Sequence, residues 1–326
     1  MARGPISRAA RRWGGHENCL SFRGWSGFGG AAGTAARPGG FDLRRGRRRL
    51  SGAIAAGLRR AVARAETLLR RDDRRRAAPR LRLIQKIGVG VNTIDLEAAK
   101  ARGIPVCNLP GTNARAVAEL ALALMLAVLR RVPRFDASLR SGVWTDPALQ
   151  DGLGELGGKT VGLFGHGAIP HLLAPVLTAL GCDVIYTARH KAADPIGRYV
   201  TMHELLEQAD IVSLHVPLNA ETECLIDRAA LRRMKRGAVL INTARGGLID
   251  QSALVDALRS GHLGGAGLDV FVNEPAGADP LFALDNVVVT PHVAWITTGT
   301  FDRSFALAAE NCRRLVSNEP LLHRVV

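Results

Sequence analysis

The chain has 326 residues, 47% hydrophobic and 22% charged, which is long enough for two domains and a large buried core. Its formal net charge of +15 is concentrated at one end: residues 1–80 carry 20 Arg, no Lys and 5 acidic residues, whereas residues 81–326 hold 24 basic and 24 acidic residues. That distribution argues against a basic nucleic-acid footprint spread over the folded body, and five scattered cysteines without a C-x-x-C pair argue against a disulfide framework.

In chain order, residues 1–78 are rich in Arg, Gly and Ala and lack sustained periodicity, apart from a possible helix at Gly52 to Arg71. From Pro79 the pattern becomes regular. "LRLIQKIG" reads as a strand, "DLEAAKARG" as a short helix ended by Gly103, and "IPVCNLP" as a second strand. A long helix is predicted from about Asn113 to Arg131. Its apolar run, Ala116 to Leu129, contains Glu119 and falls short of the roughly 20 apolar residues that a membrane span needs, so it reads as a buried helix.

After a loop carrying Trp144, strands and helices alternate. "KTVGLFG" is a strand, Ala168 to Leu180 a helix expected to kink at Pro175, and "DVIYTA" a strand. "TMHELLEQ" is a helix whose Thr201 and Glu204 form a capping box, and "DIVSLHVP" is the next strand. "DRAALRRM" is a helix opened by Asp227, "GAVLINTA" a strand, and Asp250 to Gly261 a helix. "GAGLDV" and "NVVVTP" complete the strands, and "RSFALAAENCRRLVSNEP" is the last helix. Unbroken apolar strands alternating with helices define an α/β fold, a parallel sheet covered on both faces.

Two stretches carry chemistry. In "GLFGHGAIPHLLAP", Gly165 and Gly167 lie between a strand and a helix, the setting of a pyrophosphate-binding turn. The first glycine permits the turn and the second lets phosphate approach the backbone. Pro170 replaces the third glycine, but it falls in the first helical turn, where a missing N–H has no intrahelical partner to lose. The acid expected roughly 20 residues later is absent; Ala188 stands there, followed by Arg189, His190 and Lys191. An arginine welcomes a ribose 2′-phosphate, so NADP(H) is expected over NAD(H).

Further on, the blocks "IGVGVNTIDLEAAKARGIPVCNLPG", "LLEQADIVSLHVPLNAETECLID", "MKRGAVLINTARGGLID", "GAGLDVFVNEP" and "VVVTPHVAW" follow one another around that turn. From about Leu81 to the C-terminus the chain resembles the D-isomer-specific 2-hydroxyacid dehydrogenases, the family of D-3-phosphoglycerate dehydrogenase and glyoxylate/hydroxypyruvate reductase. The resemblance implies a doubly wound parallel sheet, the Rossmann NAD(P)-binding domain, over residues 105–292. It also implies a partly incomplete flavodoxin-like substrate domain made of residues 79–104 and 293–326.

It further implies that Arg245 holds the substrate carboxylate and carbonyl, and that Glu274 pairs with His292, which handles the proton. Backbone N–H groups near Val89 and Gly90 would take the substrate carboxylate. Asp269 would meet the nicotinamide end, and Gly165, Gly167, Ala168, Ile169, Arg189, Thr243, Ala244 and Trp295 would hold the cofactor. His215 would play a supporting part near the adenine side. No metal site is read from the sequence.

The implied activity is an NADPH-dependent reductase of a small 2-oxo acid, with a small-molecule substrate as partner, neither membrane nor nucleic acid, as a cytoplasmic homodimer. The alternative is a non-catalytic, dinucleotide-sensing corepressor-like protein of the same fold. Residues 1–78 do not resemble the family's N-terminal α/β segment, and they read as a disordered or out-of-frame stretch.

Overall fold

A computed structural model describes residues 81–91, 94–144 and 147–326. The basic head, its possible helix and the reading of residues 1–78 lie outside the described residues. The chain divides into two compact units, one ending at Thr112 and resuming at Phe301–Val326, the other spanning Asn113–Thr300.

The first unit contains two short parallel strands, β1 (Ile84–Gln85) and β2 (Val106–Cys107), bridged by helix α1 (Leu96–Ala101). Asp95 caps α1 by accepting from the Ala98 N–H at 2.9 Å, a bond worth about 1 kcal/mol. The strands are shorter than the apolar runs predicted, because ladder pairing stops after two residues on each. Gln85 is fully buried; it donates to the Cys107 carbonyl and accepts from Asn311 at 2.7 Å. Asn311 in turn accepts from the Leu322 N–H, so one buried amide pair ties this sheet to the C-terminal segment. Burial pushes the Cys107 thiol up to about 11.

The second unit holds a seven-stranded, wholly parallel sheet: β3 (Thr160–Phe164), β4 (Asp183–Thr187), β5 (Arg198–Tyr199), β6 (Ile211–Leu214), β7 (Val239–Asn242), β8 (Gly265–Leu268) and β9 (Val287–Val289). Its order is β5-β4-β3-β6-β7-β8-β9, so the chain reverses direction across the sheet between β3 and β6. β6, β7 and β8 are buried along their whole length, which is why their sequences read as continuous apolar runs rather than alternating ones.

Helices cover the sheet. α2 (Ala114–Arg130) turns Ala118, Ala121, Leu124 and Met125 into the core beside Val161, Leu163 and Ile241. It leaves Leu126 at 38% exposure, so the helix is amphipathic rather than buried all round. Two further helices, α3 (Val132–Arg140) and α4 (Pro147–Gln150), follow where a loop is expected. The remaining helices of this unit are α5 (Ala168–Ala179), α6 (Met202–Gln208), α7 (Arg228–Arg233) and α8 (Gln251–Arg259).

α5 runs on through Pro175. The predicted capping box of Thr201 and Glu204 opens α6, and Asp227 and Asp250 cap α7 and α8 by accepting the N–H groups of Ala230 and Ala253. α9 (Thr298–Val316) starts five residues earlier than the helix segment predicted. Among the described residues, no helix is long and apolar enough to cross a membrane.

Candidate active site

In a doubly wound sheet, ligands settle beyond the carboxyl ends of the strands, at the point where strand order reverses. Gly165 leaves β3 at that point. Its φ of +112° and the 2.8 Å that would separate an added Cβ from the His215 carbonyl admit only glycine. Gly167 is different: it is the N-cap of α5, exposed, in extended conformation, and an added Cβ there would meet nothing within 4 Å.

Ala168 is exposed beside Gly167 and Ile169 is half-buried. The free N–H groups of this helix end, with open space over Gly167, form a cradle of the kind that takes an anionic phosphate. Pro170, third residue of the helix, is buried in the first turn, as its placement in the sequence suggested.

The neighbouring strand ends supply polar atoms with nothing to bind. His215 follows β6 and Thr243 follows β7; His215 Nδ1 and Thr243 Oγ1 are buried side-chain atoms without a hydrogen-bond partner among the described residues. His215 Nε2 is 2.9 Å from the Ser213 hydroxyl, and burial pulls its imidazole down to about 4, keeping the ring neutral at physiological pH. A glycine cradle and two orphaned polar atoms on three consecutive strands, β3, β6 and β7, fit a dinucleotide. Arg189, His190 and Lys191 are exposed just after β4, and Arg189 makes no ion pair among the described residues.

The loops after β7, β8 and β9 bring Arg245, Glu274 and His292 to the same end of the sheet. Asn242, fully buried at the end of β7, clamps the first loop: its amide donates to the Arg245 carbonyl at 2.8 Å and its oxygen accepts from the Ala244 N–H at 3.0 Å. Gly246 lets this loop press on the next one, since an added Cβ would lie 2.0 Å from the Phe271 carbonyl carbon. Glu274 is gripped from two sides, accepting from the Phe271 N–H at 3.0 Å and from His292 Nδ1 at 2.6 Å. Burial pushes the Glu274 carboxyl up, but the His292 and Phe271 hydrogen bonds and the nearby His292 and Arg245 charges outweigh it and bring it down. An ionised carboxylate can only accept, so His292 carries its proton on Nδ1 and leaves Nε2 with a free lone pair.

His292 adopts a left-handed backbone, φ 51°, which a residue with a side chain holds only when its surroundings fix it. Asp269 does the fixing. Its fully buried carboxylate accepts from the Thr290 hydroxyl and from the Val293 and Ala294 N–H groups, and its backbone carbonyl accepts from the His292 N–H at 2.7 Å. Burial raises the Asp269 carboxyl above its ordinary range despite these donors. The sequence placed Asp269 at the nicotinamide end; in the structure its carboxylate is engaged within the loop that carries His292.

Trp295 is half-buried on that same loop. Val89 and Gly90 belong to the first unit, where the Asn108 amide holds the Val89 carbonyl at 2.9 Å and Val89 is 46% exposed.

Fold and site together define a dinucleotide-binding α/β protein with an Arg, Glu and His constellation on adjacent strand ends. Comparison with known proteins sharpens this. Residues 122–294 match the family described as "D-isomer specific 2-hydroxyacid dehydrogenase, NAD binding domain", and the chain belongs to that family. It is 43% identical over 247 residues to D-3-phosphoglycerate dehydrogenase of Mycobacterium leprae, covering 74% of this chain and 46% of the relative. The chain thus spans about half the length of the first such curated relatives.

With glyoxylate reductase of Thermococcus litoralis it shares 43% identity over 244 residues, covering 72% of this chain and 73% of the relative. A solved structure of an NADPH-dependent glyoxylate/hydroxypyruvate reductase from Sinorhizobium meliloti, in complex with citrate, superposes with a TM-score of 0.70. That match has 35% identity and covers 77% of this chain and 80% of the other.

Proposed function

We propose that this chain is an NADPH-dependent reductase that converts a small 2-oxo acid, of the glyoxylate or hydroxypyruvate kind, to the D-2-hydroxy acid. The observation that carries the reading is the 2.6 Å bond between Glu274 and His292, on the same sheet end as Arg245 and beside a glycine turn suited to pyrophosphate. When bound, the nicotinamide supplies the hydride that C2 of the substrate receives.

The protein's own residues do the rest. Arg245 offers a planar fork to the substrate carboxylate and draws charge from the carbonyl. His292 Nε2 delivers a proton to the carbonyl oxygen in reduction and recovers one in the reverse direction. Glu274 holds the imidazole in the tautomer that this requires. Thr243 and Ala244 line the dinucleotide, with Gly165, Gly167, Ala168 and Ile169 around its phosphates.

Arg189 supports NADPH over NADH, because it is exposed next to Ala188, which stands where a ribose-binding acid would repel a 2′-phosphate. A homodimer belongs to the same reading. So does a cytoplasmic setting, which the thiols of Cys107, Cys182 and Cys224 suit.

The test is the absorbance change at the reduced nicotinamide band with a panel of 2-oxo acids and both cofactors. Turnover with kcat/KM at least about tenfold higher for NADPH, about 1.4 kcal/mol of discrimination, is expected. A preference for NADH would overturn the cofactor assignment. Dinucleotide binding without turnover on any acid would leave the sensor reading in its place.

A further inference from the structure

We propose that His166, His171 and Asp194 form a binding site for a divalent transition-metal ion of the zinc, nickel or copper type. His166, in the turn after β3, and His171, on the first turns of α5, are five residues apart, and Asp194 comes from the connection between β4 and β5, 23 residues beyond His171. One potential ligand atom from each lies within 4.8 Å of the other two. The two imidazoles meet edge to face, with ring centres 4.3 Å apart and planes at 77°, and the His166 ring also rests 5.1 Å from that of Tyr186.

The hydrogen bonds fix which nitrogen is available. His171 Nδ1 is 2.9 Å from the Gly167 carbonyl, which can only accept, so the ring proton sits on Nδ1. Nε2 then presents a lone pair to Asp194 Oδ2 at 3.3 Å. Two acceptors at that distance repel unless a cation lies between them, and the choice is a second proton or a metal ion. His166 approaches the same residue: its Nε2 donates to the Asp194 backbone carbonyl at 3.0 Å, which leaves Nδ1 as its lone-pair nitrogen.

A far-side nitrogen anchored on a backbone carbonyl is also the arrangement that orients metal-binding imidazoles. Both rings are half-buried and Asp194 is exposed, which leaves the remaining coordination positions to water. Two nitrogens and one carboxylate oxygen select borderline ions over magnesium and calcium, which take all-oxygen shells. The site shares its turn with the proposed phosphate cradle, since His166 lies between Gly165 and Gly167.

Isothermal titration of the untagged full-length chain, stripped with chelator, tests it with zinc chloride and, as control, magnesium chloride. Binding of a single zinc ion with a micromolar or tighter Kd is expected, with no heat from magnesium. His166→Ala, His171→Ala and Asp194→Asn should each weaken zinc by at least about tenfold while circular dichroism stays unchanged. Cobalt chloride added to the unaltered chain should give a visible ligand-field band that zinc displaces, a readout that does not depend on any variant folding. No zinc binding, zinc binding unaffected by Asp194→Asn, or magnesium bound as tightly as zinc would each overturn the proposal.

Discussion

Glu274 and His292 form a pair in which the carboxylate has no freedom: one oxygen is held by a backbone N–H and the other by the imidazole. Replacing His292 or Arg245 by alanine should therefore lower kcat/KM for the 2-oxo acid by about 10²–10⁴ and leave the dinucleotide Kd nearly unchanged. Steady-state kinetics and nicotinamide fluorescence titration separate the two effects, and near-normal turnover in either variant contradicts the assignment. The sequence pointed to these three side chains through the family resemblance, and the structure sets them on the loops after β7, β8 and β9. The work of Asp269 was not legible in the sequence. Its partners Thr290, Val293 and Ala294 lie 21 to 25 residues downstream, and nothing local distinguishes a carboxylate that will be sealed under a loop from one that faces a ligand. The His166, His171 and Asp194 group was invisible for the same reason, since only the return of the chain after β4 brings the aspartate to the histidines.

Strands buried over most of their length announce themselves as apolar runs, and β3, β4, β6, β7 and β8 appear where such runs were read. Elements that bury little do not. α3 has no buried residue, and β5 is a two-residue edge strand of Arg198 and Tyr199 paired on one side only. The glycine turn was read as a strand-to-helix junction whose first glycine permits the turn and whose second lets phosphate approach, and the structure gives the two glycines correspondingly different surroundings. Gly165→Ala forces a side chain into a positive-φ backbone and against the His215 carbonyl, so it should cost about 2 kcal/mol or more of stability. Gly167→Ala points into open space and should leave the urea midpoint close to that of the parent while weakening dinucleotide binding. Equal losses of stability in the two variants would show that the second glycine serves folding rather than the phosphate.

Both large hydrophobic clusters, one around Leu205, Leu231, Leu254 and Leu268 and the other around Leu124, Leu163, Leu177 and Ile241, draw all their residues from between Asn113 and Thr300. A unit with its own core and complete sheet folds without the rest of the chain. A fragment of residues 113–300 should show cooperative thermal unfolding and should gain stability on adding NADPH, by about 2.7 kcal/mol at a hundredfold excess over Kd. A fragment that is unfolded by circular dichroism would mean that the sheet depends on residues outside it. The +15 charge of the full chain does not enter this behaviour, because residues 113–300 hold 16 basic and 19 acidic residues.

The left-handed backbone at His292 limits how this protein can diverge. Glycine, asparagine and aspartate share tolerance for that conformation, whereas β-branched residues do not. A descendant that abandoned the chemistry while keeping the loop would drift at position 292 toward that short set. A substitution to valine or isoleucine there would instead mark a copy in which the loop itself had been rebuilt.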